Sequence, residues 1–96
     1  MDLLVNIREK LDLITEYWKP IIVGELNGQQ VRLVKIKGEF VMHEHDDEDE
    51  LFLVIKGKMK MDYGDRLVDV KEGEFIIVPR GTSHKPIAES EAHLLL

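Results

Sequence analysis

The chain has 96 residues, 44% of them apolar, a formal charge of −6 and no cysteine. That length suits one domain with a modest core, burying roughly 60–70% of its unfolded surface. The absence of thiols excludes a disulfide framework, a thiolate zinc site and a cysteine nucleophile. Basic residues are scattered, which argues against nucleic acid or an anionic membrane surface as a partner, since both need concentrated positive charge. No apolar run approaches the roughly 20 residues of a bilayer span. Met1-Asp2 opens no basic-then-apolar leader, so the expected location is the cytoplasm.

Leu3, Leu4, Ile7, Leu11, Ile14 and Trp18 fall on one helical stripe, with Arg8, Glu9, Lys10, Asp12 and Glu16 off it. The pattern predicts an amphipathic helix over about residues 2–18, capped by Asp2 and stopped by Pro20, packed as a lid on the rest. Beyond Pro20 the chain reads as β-structure, the barrel running over about residues 20–96 of a single 1–96 domain. An apolar run at 21–26 stops at Asn27-Gly28, a hairpin signal. Residues 29–37 alternate, with a phase slip at Leu33-Val34 that predicts a bulge. Gly38 is read as a break. Further strands are expected at 39–45, 51–55, 58–63, 66–71, 74–78, 84–88 and 92–96, with turns at Lys56-Gly57 and Gly64-Asp65. Many short strands joined by Gly-rich turns predict an all-β sandwich or barrel.

Side chains alternate along a strand, so His43 and His45 point the same way and form a pincer. Glu50 opens the next strand, where its carboxylate can turn back toward them. His84 follows the tight Pro79-Arg80-Gly81 turn, and a barrel can bring it opposite. Three imidazoles and one carboxylate suit one divalent transition-metal ion: iron, manganese, nickel, cobalt, copper or zinc. A six-coordinate ion would keep two positions open. The neighbouring run Asp46, Asp47, Glu48 and Asp49 invites calcium, but it lacks the glycine and ligand spacing of a calcium loop. It reads instead as a solvated connector.

The spacing of these residues resembles the two motifs of the cupin family. Gly38, four residues, His43-x-His45, four residues, Glu50, six residues, Gly57 is similar to the first. Gly73, five residues, Pro79-x-Gly81, two residues, His84 is similar to the second. The resemblance implies an antiparallel double-stranded β-helix, the jelly-roll barrel, with metal ligands at His43, His45, Glu50 and His84. Two departures, a gap after Gly38 one residue shorter than usual and Ala88 where asparagine is frequent, suggest a divergent branch.

Val41, Phe52, Val54, Met59 and Met61 are the expected apolar lining of the pocket. His93, Tyr63 and Glu39 are the candidates for acid–base or substrate contact. On strands 39–45 and 51–55 both faces are apolar, whereas a sheet open to water shows polar residues on one side. The helix is expected to cover part of the second face and a second copy the rest, as a homodimer. The resemblance allows dioxygenase, isomerase, decarboxylase or epimerase chemistry. Arg80 is the one basic residue noted near a ligand, which argues against phosphosugars and for a small, moderately apolar organic substrate. The alternatives are a non-catalytic metal- or ligand-binding module and a structural shell with an empty site.

Overall fold

The computed structural model describes residues 3–96. A helix, α1 (Ile7–Leu11), precedes seven strands: β1 (Ile21–Leu26), β2 (Gln29–Glu39), β3 (Glu50–Lys56), β4 (Lys58–Asp62), β5 (Leu67–Lys71), β6 (Phe75–Val78) and β7 (Lys85–Leu95). Every paired strand is antiparallel. Among the described residues no helix is long and apolar enough to cross a membrane.

The helix is much shorter than its stripe predicts. Asn6 caps it, the side-chain oxygen accepting from the Glu9 N–H at 3.0 Å; Asp2 lies outside the described residues. A single short turn has no stability of its own, so tertiary contact decides where it ends. Only Leu11 and Ile14 of the stripe are buried, while Leu3 and Leu4 are exposed. Tight turns from Leu13 to Lys10 and from Ile14 to Leu11 wind the chain down. Trp18, at φ 64°, then redirects it into β1.

The sheet runs β1-β2-β7-β3-β6, and β4 joins β5 to β7. β7 is the hinge of the barrel. Its first half, Lys85 to Ile87, pairs with β4, and its second half, His93 to Leu95, pairs with β3. The sequence reading split this strand at the exposed triplet Glu89-Ser90-Glu91, but the strand is continuous. The turn between β3 and β4 crosses it closely. A Cβ on Gly57 (φ 84°) would meet the Glu91 carbonyl oxygen at 3.0 Å, so only glycine fits there.

The predicted bulge at Leu33-Val34 does not exist. Val34 belongs to the barrel core with Ile36, Phe52, Val54, Met59 and Met61, whereas Leu33 packs on the other face with Leu11 and Ile14. Both faces of β2 are covered, and this mimics a phase slip. The register instead shifts between Ile22 and Gly24, between Ile36 and Gly38, and between Val54 and Lys56. Gly38 is therefore a point of irregularity within β2, not its end.

Register aligns an apolar row on the outer face: Ile21, Leu33, Leu95, Leu53 and Phe75, one from each of five neighbouring strands. Leu11 and Ile14 cover the β1–β2 end. At the other end Phe75 is 60% and Ile77 52% exposed.

Candidate metal centre

The site forms where two irregular segments meet. Residues 39–45 are not the continuous strand expected of them. β2 ends at Glu39, and His43 rejoins the barrel through a single antiparallel bridge to His84. The two residues exchange both backbone bonds, His43 N–H to the His84 carbonyl at 3.0 Å and the reverse at 2.8 Å. They are thus direct cross-strand neighbours, with ring centroids 4.3 Å apart. The turn before His84 is tied to the same segment. Gly81 (φ 75°) donates its N–H to the His45 carbonyl at 2.7 Å, and Arg80 N–H donates to Asp49 Oδ1 at 2.9 Å. Asp49 of the acidic run is therefore a clasp on the turn that carries His84. Glu50 opens β3 opposite Val78.

Ligand-capable atoms of His43, His45, Glu50 and His84 all lie within 4.8 Å of one another. Glu50 Oε1 is 3.5 Å from His45 Nε2 and 3.6 Å from His84 Nε2. Two ligands each about 2.1 Å from one ion stand roughly 3.0–3.5 Å apart, so these separations fit with little adjustment. The tautomers agree. His43 Nδ1 is 2.8 Å from the Val41 carbonyl oxygen and His84 Nδ1 is 2.8 Å from that of Thr82. A carbonyl oxygen only accepts, so each Nδ1 carries a proton and each ring turns its Nε2 into the cluster.

His84 is 1% exposed, and its Nε2 has no hydrogen-bond partner among the described residues. Leaving a buried polar atom unsatisfied costs about 1–3 kcal/mol. Glu50 Oε1 lies 3.6 Å from His84 Nε2, too distant for a hydrogen bond. A cation held between this nitrogen and the carboxylate would satisfy both, and the donor set of three imidazoles and one carboxylate could hold a divalent transition metal.

The cluster opens on a cavity of about 170 Å3 walled by Trp18, Phe40, Phe52, Leu94 and Leu96 among others. Of the expected lining only Phe52 is found there. Val41 is 65% exposed, because the irregular segment turns its side chain out and uses only its carbonyl. Val54, Met59 and Met61 are core residues, deeper than the cavity wall.

The three acid–base candidates all lie elsewhere. Glu39 is exposed and paired with Lys85 at 2.7 Å. That bond, with Asp62 nearby, raises the Lys85 pKa. Tyr63 packs on the core, with the Arg66 guanidinium 4.5 Å above its ring. His93 alternates away from Ala92 and Leu94 to the outer face, where its Nε2 donates to Glu91 Oε2 at 2.6 Å. Glu91 also accepts from the Tyr17 hydroxyl at 2.7 Å. These two bonds hold the Glu91 carboxyl below its ordinary range, and the bond to Glu91 raises the Tyr17 pKa.

Sequence reasoning missed Trp18, Phe40 and Arg32 as cavity residues. Arg32 shares the inward face of β2 with Val34 and Ile36, a signal hidden by the apparent slip at Leu33-Val34. It, not Arg80, is the basic group that lines the cavity, with Nη2 3.6 Å from Glu50 Oε2.

Comparison with known proteins agrees with this fold. The family profile described as cupin domain matches residues 30–96. A cupin-2 domain containing protein from Shewanella frigidimarina NCIMB 400 is 36% identical, with a TM-score of 0.95 over 97% of this chain and 91% of that one. Protein NMB1881 from Neisseria meningitidis is 33% identical, with a TM-score of 0.89 over 96% of this chain and 94% of that one. The uncharacterized protein YdbB of Bacillus subtilis (strain 168) is 38% identical over 64 residues, which cover 66% of this chain. The match spans 57% of YdbB, less than two thirds of that relative's length.

Proposed function

This chain belongs to the cupin family, and from that premise we propose that it is a metal-dependent enzyme acting on a small organic molecule, of dioxygenase or isomerase type. His43, His45, Glu50 and His84 hold one divalent ion: iron, manganese, nickel, cobalt, copper or zinc. The observation that carries this reading is His84 Nε2, a buried nitrogen with no hydrogen-bond partner among the described residues, 3.6 Å from a carboxylate oxygen of Glu50.

Held by these four residues, the ion would supply a Lewis acid beside the cavity. The chain's own residues do the rest. The Val41 and Thr82 carbonyls fix the two imidazoles by their Nδ1 protons. Phe52 packs edge-on near His84, with centroids 5.9 Å apart, and screens that side of the site from water. Trp18 and Phe40, stacked 5.0 Å apart, wall the cavity. An apolar chamber with a few convergent polar groups is the form of a small-molecule site.

The test is metal uptake followed by turnover. Protein reconstituted under reducing conditions takes up about one ion per chain, and protein loaded with iron, manganese or nickel turns over a member of a panel of small apolar acids, phenols and alcohols. Saturable binding without turnover would make it a binding module instead. Below about 0.1 ion per chain, far from saturation of a specific site, the site would be an empty shell.

The same reading includes a homodimer. Leu51, Leu53, Phe75 and Ile77 share the outer face of β3 and β6, and the N-terminal segment covers the opposite end. A contiguous apolar patch of this kind marks an interaction surface. Light scattering at micromolar concentration gives a dimer mass, and Ile77→Lys gives a monomer; a wild-type monomer would remove this part of the proposal.

A further inference from the structure

One charged group in the cavity is not required for metal binding. Arg32 is on β2, its backbone tied both ways to Leu96, at 3.1 and 2.8 Å. Its side chain is 34% exposed. The guanidinium approaches Oε2 of Glu50, the carboxylate oxygen other than the one that faces His45 and His84. A guanidinium offers five N–H donors in a planar fork, so one loose ion pair at 3.6 Å leaves most of that capacity for a ligand.

The charges beside the chamber have a definite sum. Three neutral imidazoles, one carboxylate, one guanidinium and a divalent ion amount to a formal +2. Such a site in an apolar setting favours an anionic ligand, because each attraction is stronger where water is excluded. The exposed Asp46, Asp47 and Glu48 carry opposing charge, but they face water, where charges are screened within about 8 Å at physiological ionic strength. The Arg32 guanidinium lines the cavity, where a ligand would meet it in direct contact.

The remaining walls set the shape of the ligand's other end. Trp18 is a bulky residue at φ 64°, a backbone region such residues rarely enter. It is held there by its N–H to the Lys35 carbonyl at 2.9 Å and its Nε1–H to the Lys37 carbonyl at 3.0 Å. The indole N–H is therefore spent on the backbone, and the ring offers the cavity only apolar surface. Phe40 stacks on it at 22°, and Phe52 and Leu94 also line the chamber. The volume, about 170 Å3, is close to that of a dry apolar cavity of about 150 Å3 that admits benzene.

We propose, on the footing of the metal-centre reading, that the ligand of this site is a small carboxylic acid with a flat apolar body of about benzoate size. Arg32 holds its carboxylate beside the ion, and Trp18, Phe40 and Phe52 hold its body. Arg32 is a specificity residue: it selects the anion over its neutral isostere.

The only tryptophan of the chain lines this cavity, so its emission reports occupancy directly. Zinc-loaded protein, with metal content measured, is titrated with benzoate and with benzamide. Benzoate is expected to shift the Trp18 emission saturably and at least tenfold more tightly than benzamide. Arg32→Gln, saturated with zinc, is expected to lose that preference. Arg32→Lys, which keeps the charge without the fork, is expected to retain part of it. Equal affinities in the wild type, or an unchanged preference in Arg32→Gln, would overturn the proposal. Failure of zinc to bind would defeat the metal-centre reading alone. The same titration of metal-free protein then decides the role of Arg32, a retained preference supporting it and an absent one overturning it.

Discussion

His84 and His93 are both largely buried histidines in or next to β7, and they are held in opposite ways. His93 spends its Nε2 on Glu91 at 2.6 Å, and Glu91 takes a second bond from Tyr17. His84 spends its Nδ1 on a backbone carbonyl and leaves Nε2 without a partner among the described residues. The first arrangement is closed and electrically satisfied, and it pins the N-terminal segment to the outer face. The second leaves a buried nitrogen open, which costs stability and which a bound cation would satisfy. Burial alone does not separate a structural histidine from a ligand; the fate of its second nitrogen does.

The sharpest way to break this comparison is to delete each ring. His84→Ala is expected to weaken metal uptake by at least about 100-fold, more than the loss of a supporting bond would cost. His93→Ala should leave uptake within about twofold, as expected for a change away from the site. Calorimetric titration with zinc or manganese checks both, and equal losses would erase the distinction. Glu39→Gln and Tyr63→Phe belong with His93 in this test.

The next effect is on stability. At a free metal concentration of about 100 times the dissociation constant, binding adds about 2.7 kcal/mol. For a domain of this size that corresponds to roughly 10–20 °C in the unfolding midpoint. Chelation should remove this from the wild type and from His93→Ala, but change His84→Ala little. Thermal scans with and without chelator read it.

The smallest effect concerns the closed network. The Glu91 pKa lies below its ordinary value, so its bonds to His93 and Tyr17 contribute stability above that value. The contribution is lost as pH falls through the lowered value in the folded protein. In metal-free protein the stability difference between wild type and Glu91→Gln should be greatest near neutrality and close on acidification below 4.5, the ordinary glutamate value. Denaturant titrations across pH measure it, and a gap that widens toward acid would contradict the assignment.

The sequence held the four clustered residues plainly, because their spacing and chemistry are local. His43, His45 and Glu50 follow one another at the spacing of one motif, and His84 follows a turn of fixed length. What it concealed depends on tertiary contact. The stripe from Leu3 to Trp18 describes a long helix, but the fold buries only Leu11 and Ile14 of it and engages Trp18 from a non-helical backbone. Arg32 was hidden because Leu33 and Val34 are both buried, on opposite faces, so alternation could not reveal which parity points inward. Glu89-Ser90-Glu91 has loop composition yet lies on a continuous strand. Val41 carries the parity of a lining residue, but the segment holding it is not a regular strand, so the parity rule did not apply.

The most direct test of the central claim is anomalous diffraction at the metal edge from crystals of protein reconstituted with manganese or zinc. One peak per chain is predicted, about 2.0–2.3 Å from Nε2 of His43, His45 and His84 and from a Glu50 oxygen. A peak elsewhere, or none at a metal concentration that saturates the protein in solution, would contradict the four-ligand centre.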